Sequence, residues 1–244
     1  MKALLMTLLL LPTLLFAMNT PLRIAVASSA PPFVIRSNYN QFYGFDIAMM
    51  DYICSSLARP CQYIPMNINE ILAAITNQNV DLAVSSIVIT PNRAKIVLFS
   101  RPYMLSEGQF IGSITRNQDT FNMKDLDNQK IGVVQGSAYA TQVYSMNIKQ
   151  PQVIHYQSAD QLIAALESGN IDAGFLDKYT AHYWQNNSSQ RLQTLGKTFS
   201  VGYGLGIVTN RANVELIHAV NQALLLYESS SDFKNNFNLY LGGF

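Results

Sequence analysis

The chain has 244 residues, of which 16 are Lys or Arg, 15 Asp or Glu and 3 His, giving a formal charge of +1. Such a balance supplies neither a basic stripe for nucleic acid nor a polybasic anchor for lipid, so the expected ligand is small. Only 13% of residues are charged and 49% are hydrophobic.

Residues 1–17, MKALLMTLLLLPTLLFA, carry one lysine, an apolar run and then a small residue, the layout of a secretory signal peptide. The mature chain is expected to start near Met18. Read as a membrane anchor the run is short and broken by Pro12; an uncleaved tether is the lesser alternative. No cysteine stands at the cleavage point to accept a lipid, and no later segment approaches the ~18 apolar residues of a membrane span. The remainder is read as a soluble, exported protein of 227 residues, enough for one large domain or two small ones.

Along the chain, short β-branched runs alternate with amphipathic ones. The pattern predicts strands at Leu22–Ala27, Val80–Ser85, Gln109–Ile114, Lys130–Val134, Val153–Tyr156, Ile171–Leu176 and Leu205–Thr209. Helices are predicted at Phe45–Leu57, Asn69–Asn77, Ala138–Met146, Ala159–Ser168 and Asn213–Glu228. This alternation indicates α/β architecture with parallel sheets.

The cysteines are Cys54 and Cys61. Within one helix they would lie roughly 10 Å apart, beyond the ~7 Å reach of a disulfide, so a bond requires the helix to end between them. Arg59-Pro60 supplies that break, because proline disfavours helix in the residue before it. An oxidising compartment favours pairing, which would staple a helix end to the start of the next strand. Two unpaired buried thiols remain the alternative.

One internal echo organises the middle of the chain. INEILAAITNQNVDLAVSS (68–86) and ADQLIAALESGNIDAGFLD (159–177) share a helix, a polar turn and a buried strand, with no linker of Pro, Gly and Ser between them. Two similar lobes would produce this; so would any two αβ units. Ligands in open α/β sheets bind beyond the carboxyl ends of strands. There the first unit delivers Ser85, Ser86 and, after Thr90-Pro91 starts a helix, Arg93; the second delivers Asp177. IGVVQGSAY (131–139) runs a strand through Gly136-Ser137 into a helix start, whose free N–H groups can hold an anion. An arginine for a carboxylate and an aspartate for an ammonium complement the backbone of a free amino acid. Taken singly, an arginine in a helical first turn is ordinarily a solvated charge, and an aspartate after a strand is ordinarily a helix cap.

Six stretches carry a resemblance over essentially the whole mature chain: APPF (30–33), GFDIAMMDYI (44–53), VDLAVSSIVITPNRAKIVLFSRPY (80–103), KIGVVQGSA (130–138), IDAGFLD (171–177) and GYGLGIV (202–208). In order and spacing they resemble the periplasmic solute-binding proteins of polar amino-acid ABC transporters, family 3, nearest the histidine, lysine/arginine/ornithine and arginine binders. Some members of that group carry a disulfide at the Cys54/Cys61 spacing.

The resemblance implies the type II periplasmic binding protein fold: two α/β lobes, residues 18–109 with 206–244 and residues 110–205, joined by two hinge strands around a cleft. It implies that Arg93 grips the ligand carboxylate, helped by the Val88 and Ala138 amides and Ser137. The Ser86 carbonyl and the Asp177 carboxylate take the ammonium; Ser85, Ile68 and Tyr139 complete the lining. The expected ligand is a free L-amino acid, cationic with arginine first, or else glutamine or another uncharged polar one. The expected partner is the membrane permease of an ABC transporter, the location the periplasm, the state a monomer without cofactor or metal.

Departures from the family concern the ligand. Val88 stands where relatives usually have a hydroxyl or acid, Ala30 where many have a stacking aromatic, and Ala27 where some cation binders place an acid. Tyr139, Tyr103, Phe33 and Glu107 are candidate replacements.

Two rival functions are possible for such a sequence. Periplasmic dehydratases share the cleft, but catalysis needs a positioned acid or base, and His155, His182 and His218 are scattered. No G-x-S-x-G, Walker or H-E-x-x-H pattern occurs, and VGYGLGI lacks the spacing of a dinucleotide loop. A receptor-coupled sensory domain would belong to a longer chain with a membrane span.

Overall fold

The computed structural model describes residues 20–39, 41–115 and 120–243. The proposed signal peptide and cleavage point lie outside these residues. The first half contains β1 (Leu22–Ala27), β2 (Ile35–Arg36), β3 (Phe42–Tyr43), α1 (Phe45–Ser56), β4 (Cys61–Met66), α2 (Ile68–Thr76), β5 (Leu82–Ala83), α3 (Pro91–Ala94), β6 (Leu98–Phe99) and β7 (Glu107–Ser113). The second contains β8 (Lys130–Val134), α4 (Tyr139–Ser145), β9 (Gln152–Tyr156), α5 (Ala159–Glu167), β10 (Ala173–Asp177), α6 (Lys178–Asn187), β11 (Leu192–Ser200), β12 (Val208–Thr209), α7 (Val214–Glu228) and α8 (Ser231–Tyr240).

Two five-stranded sheets form the two lobes, in the orders β4-β1-β5-β12-β6 and β11-β7-β10-β8-β9. The chain passes from the first sheet to the second after β6 and returns after β11. These two crossings pair with each other: Tyr103 N–H donates to the Leu205 carbonyl at 2.9 Å, and Leu205 N–H to the Met104 carbonyl at 2.8 Å.

The expectation of parallel sheets is corrected here. β1 runs parallel to β4 and β5, and β8 parallel to β9 and β10, but β7 and β12 run antiparallel to their neighbours. Both are the strands that enter from the crossings, arriving at the sheet end opposite to strands fed by a local helix. An apolar run reads the same in either direction, so its composition does not encode this.

The repeated unit falls once in each lobe, α2 with β5 and α5 with β10. Ile71 and Ile75 of α2 are buried against the first sheet, and Leu162 and Leu166 stand at the equivalent places of α5. Each such side chain contributes about 1.5–3 kcal/mol by leaving water. The helix starts are fixed locally: the Ser158 hydroxyl accepts from Gln161 N–H at 3.3 Å, and Glu70 accepts from Asn67 N–H at 3.2 Å.

α1 ends at Ser56, and β4 opens at Cys61, whose register partner is Leu22 of β1. The Cys54–Cys61 disulfide spans this break with its Cα atoms 5.8 Å apart, which settles the alternative of two free thiols. It lies at the outer end of α1, away from the cleft.

Candidate functional site

The site is assembled where strands of both sheets end toward the cleft. On the first lobe the chain leaves β5 through Ser85, whose buried hydroxyl accepts from Ala27 N–H at 2.7 Å and so ties the ends of β1 and β5 together. Ser86 follows with φ of 43°, a left-handed conformation that a residue with a Cβ adopts at some cost. Its N–H donates to Asp46 Oδ2 at 2.7 Å. After the Val88–Leu205 bridge, the Thr90 hydroxyl accepts from Arg93 N–H at 3.3 Å, and Pro91 begins α3. The arginine in the first turn is thereby aimed inward. Its guanidinium donates to the Val88 carbonyl and, across the cleft, to the Gly136 carbonyl, each at 2.7 Å.

On the second lobe, the Ser137 hydroxyl donates to the Val134 carbonyl at 2.6 Å, closing the turn between β8 and α4. Tyr139 is buried, and its hydroxyl donates to Asp177 Oδ2 at 3.1 Å. The other oxygen of Asp177 accepts from Tyr179 N–H at 2.8 Å, capping α6. The helix-cap reading of this aspartate is therefore true, and it coexists with a place in the cleft.

All nine residues singled out for the ligand line one cavity. Ser85, Ser86, Val88, Arg93 and Ile68 come from the first lobe, and Ser137, Ala138, Tyr139 and Asp177 from the second. About 650 Å³ of empty space lies between them, part of it open solvent. The lining also carries the aliphatic side chains of Ile68, Ile71 and Leu72 from the first lobe and of Ala159 and Leu176 from the second.

Of the candidate replacements, only Tyr139 joins this lining. Phe33 is fully buried edge-on to Tyr179, and Glu107 is taken by an ion pair with Lys178 and a hydrogen bond from Thr198 at 3.1 Å. Tyr103 is buried outside this lining, with its hydroxyl beside the Asp46 carboxylate. The histidines fall on β9, α6 and α7, outside the lining.

The residue sequence reasoning missed is Asp46. It belongs to the quoted GFDIAMMDYI stretch but received no role. The available signal was an acid in the first turn of an otherwise apolar helix start, and Asp46 is 0% exposed. Burial pushes its carboxyl up to about 7, the Ser86 N–H and the Tyr103 hydroxyl offset part of that rise, and the charge of Asp177 adds a smaller push. Burial likewise raises Asp177 to about 7 against the stabilising N–H of Tyr179 and hydroxyl of Tyr139. The same burial lowers Arg93 from its ordinary value, though a guanidinium stays charged. Tyr103 and Tyr139 are driven well above the usual phenol range and remain hydrogen-bond donors.

Comparison with known proteins agrees with this geometry. Residues 22–243 match the family of bacterial extracellular solute-binding proteins, family 3. The chain is 28% identical to an arginine-binding periplasmic protein of Mannheimia haemolytica, over 90% of this chain and 91% of the relative. It is 27% identical to a putative ABC transporter arginine-binding protein 2 of Escherichia coli K12, over 89% of each. Among solved structures, an arginine transport periplasmic binding protein from Legionella pneumophila superposes with a TM-score of 0.83 at 32% identity, covering 91% of this chain and 99% of that one. With nearly its full described length matched and two lobes enclosing a charged cleft, this chain belongs to family 3 of the bacterial extracellular solute-binding proteins.

Proposed function

We propose that this protein is the receptor of an amino-acid ABC importer and holds a free L-amino acid between its lobes. The observation that carries the reading is the placement of Arg93 and Asp177 on opposite lobes, facing one cavity. Arg93 binds the ligand carboxylate with the Val88 and Ala138 amides and Ser137; the Ser86 carbonyl and Asp177 bind the ammonium. Closure brings both sets together, with lobe 1 as residues 18–109 and 206–244 and lobe 2 as residues 110–205. Removal of residues 1–17 would release the receptor into the periplasm, where it delivers its cargo as a monomer to a membrane permease, without a cofactor and without converting the ligand.

Arginine is the first ligand to test, because relatives over the whole length are named for it. The aliphatic residues of the lining suit the methylene stem of a long cationic side chain. A second reading, an uncharged polar amino acid such as glutamine, is favoured by one observation: among the described lining residues Asp177 is the only acid, and the ligand ammonium uses it.

A thermal-shift screen of the twenty L-amino acids decides between them, since a ligand specific to the native state raises stability by RT ln(1 + [L]/Kd). Protection by arginine, lysine or histidine supports the cationic reading. Protection by glutamine alone moves the assignment to the second. Protection by none rejects the amino-acid reading. Recovery of the bound ligand chemically unchanged separates a receptor from an enzyme of the dehydratase kind.

A further inference from the structure

We infer that Asp46 is a positioning residue of the ligand site, acting through its hydrogen bond to the Ser86 N–H. The inference rests on the reading above, in which Ser86 meets the ligand ammonium. Ser86 lines the cavity with φ of 43°, and an unfavourable backbone of this kind persists only when its surroundings over-determine it. Asp46 lies 40 residues earlier on α1, and its Oδ2 accepts from Ser86 N–H at 2.7 Å. No other hydrogen bond to the Ser86 peptide appears among the described contacts of this turn.

Burying a carboxylate is costly unless hydrogen bonds compensate it. Asp46 is fully buried, and beside the neighbouring Tyr103 hydroxyl its compensating partner is the Ser86 N–H. The helix start does not need it: the first N–H groups of α1, those of Phe45 and Asp46, already donate to the Pro32 and Phe33 carbonyls at 3.1 Å. The side chain is spent on the turn that forms one wall of the ligand site.

The role separates from general stabilisation by its dependence on the ligand ammonium. The probes are L-arginine and 5-guanidinopentanoate, which keeps the carboxylate and side chain of arginine but lacks the α-ammonium. By calorimetry, Asp46→Ala is expected to weaken L-arginine about tenfold or more while changing 5-guanidinopentanoate by no more than about twofold. Asp46→Asn, whose amide oxygen can still accept from Ser86, is expected to restore most of the L-arginine affinity. Equal losses for the two probes, or unchanged L-arginine binding in Asp46→Ala, overturn the proposal. Should Asp46→Ala fail to fold, Asp46→Leu fills the space without an acceptor and answers the same question.

A wild-type protein that binds neither probe counts against the arginine assignment and leaves Asp46 to a ligand-free readout. Amide hydrogen exchange at Ser86 is expected to be slow in wild type and Asp46→Asn, and at least about tenfold faster in Asp46→Ala or Asp46→Leu. Exchange at the wild-type rate in those variants overturns the proposal.

Discussion

Arg93 and Gly136 meet across the cleft: the guanidinium of one donates to the carbonyl of the other at 2.7 Å, joining the two lobes at the mouth of the ligand cavity. Gly136 allows the approach because it has no side chain. Its φ is 81°, and a Cβ there would stand 2.6 Å from the Asn69 Cα at the start of α2 on the facing lobe. Gly136→Ala is therefore expected to hold the lobes apart and to weaken ligand binding. Gly169→Ala is the control, since Gly169 has a similar φ of 73° with nothing within 4 Å of its Cβ position. Both variants should lose about 1 kcal/mol of stability to backbone strain, but only Gly136→Ala should lose affinity in calorimetry.

Arg93 lines the cavity and donates to the Val88 carbonyl with one terminal nitrogen and to the Gly136 carbonyl with the other. Arg93→Ala is expected to cost about 2–5 kcal/mol of binding, because it leaves the desolvated ligand carboxylate without its partner. Arg93→Lys keeps the charge and loses the planar fork, so it should fall between wild type and alanine. Titration calorimetry orders the three; a lysine variant equal to wild type would reduce Arg93 to a point charge.

The raised carboxyls make both binding and stability depend on pH. A ligand ammonium favours ionised Asp177, whose free-state value is about 7. Affinity should therefore rise between pH 5 and pH 7 by up to about tenfold per unit, with a proton released on binding, and level off above. Calorimetry in buffers of different ionisation heat measures that proton. Stability of the ligand-free protein should move the other way. A carboxyl raised from about 4 to about 7 favours the fold in its neutral form, a contribution present below pH 4 and lost as pH climbs through 7. The melting temperature of wild type should thus fall relative to Asp46→Asn across that window.

The disulfide is remote from the cleft. Replacing Cys54 and Cys61 by serine should lower stability by about 2–3 kcal/mol on the chain-entropy account and leave ligand affinity unchanged. Denaturant titration and calorimetry read the two quantities separately. Free-thiol labelling of unreduced, unfolded wild type should find none.

Much of this site was legible because its residues stand at strand ends, where short sequence signals coincide with position. Thr90-Pro91 marks a helix start, which puts Arg93 in a first turn, and the parallel between residues 68–86 and 159–177 ends on Ser86 and Asp177, both in the cavity. Among the elements not foreseen are α6, α8 and β11. α6 and α8 are polar helices, with only Thr180 and Ala181 buried in the first and none in the second, so they lack a strong apolar period. β11 pairs along β7 with a register shift between Leu195 and Phe199, which interrupts its alternation. Asp46 went unassigned for a different reason. Its partner is a backbone N–H 40 residues away, and no local spacing encodes that contact.

The central claim, an amino acid clamped between Arg93 and Asp177, is tested most directly by X-ray scattering on ligand-stripped wild type and Asp177→Ala, each with and without a saturating amino acid from the thermal screen. Arg93 alone can dock the carboxylate, while only the closed state adds Asp177, so closure draws its driving energy from that second contact. Wild type should contract on adding ligand, and Asp177→Ala should stay open or contract only partly. Equal contraction of the two, at equal affinity, would leave Asp177 as nothing more than the cap of α6 and contradict the clamp.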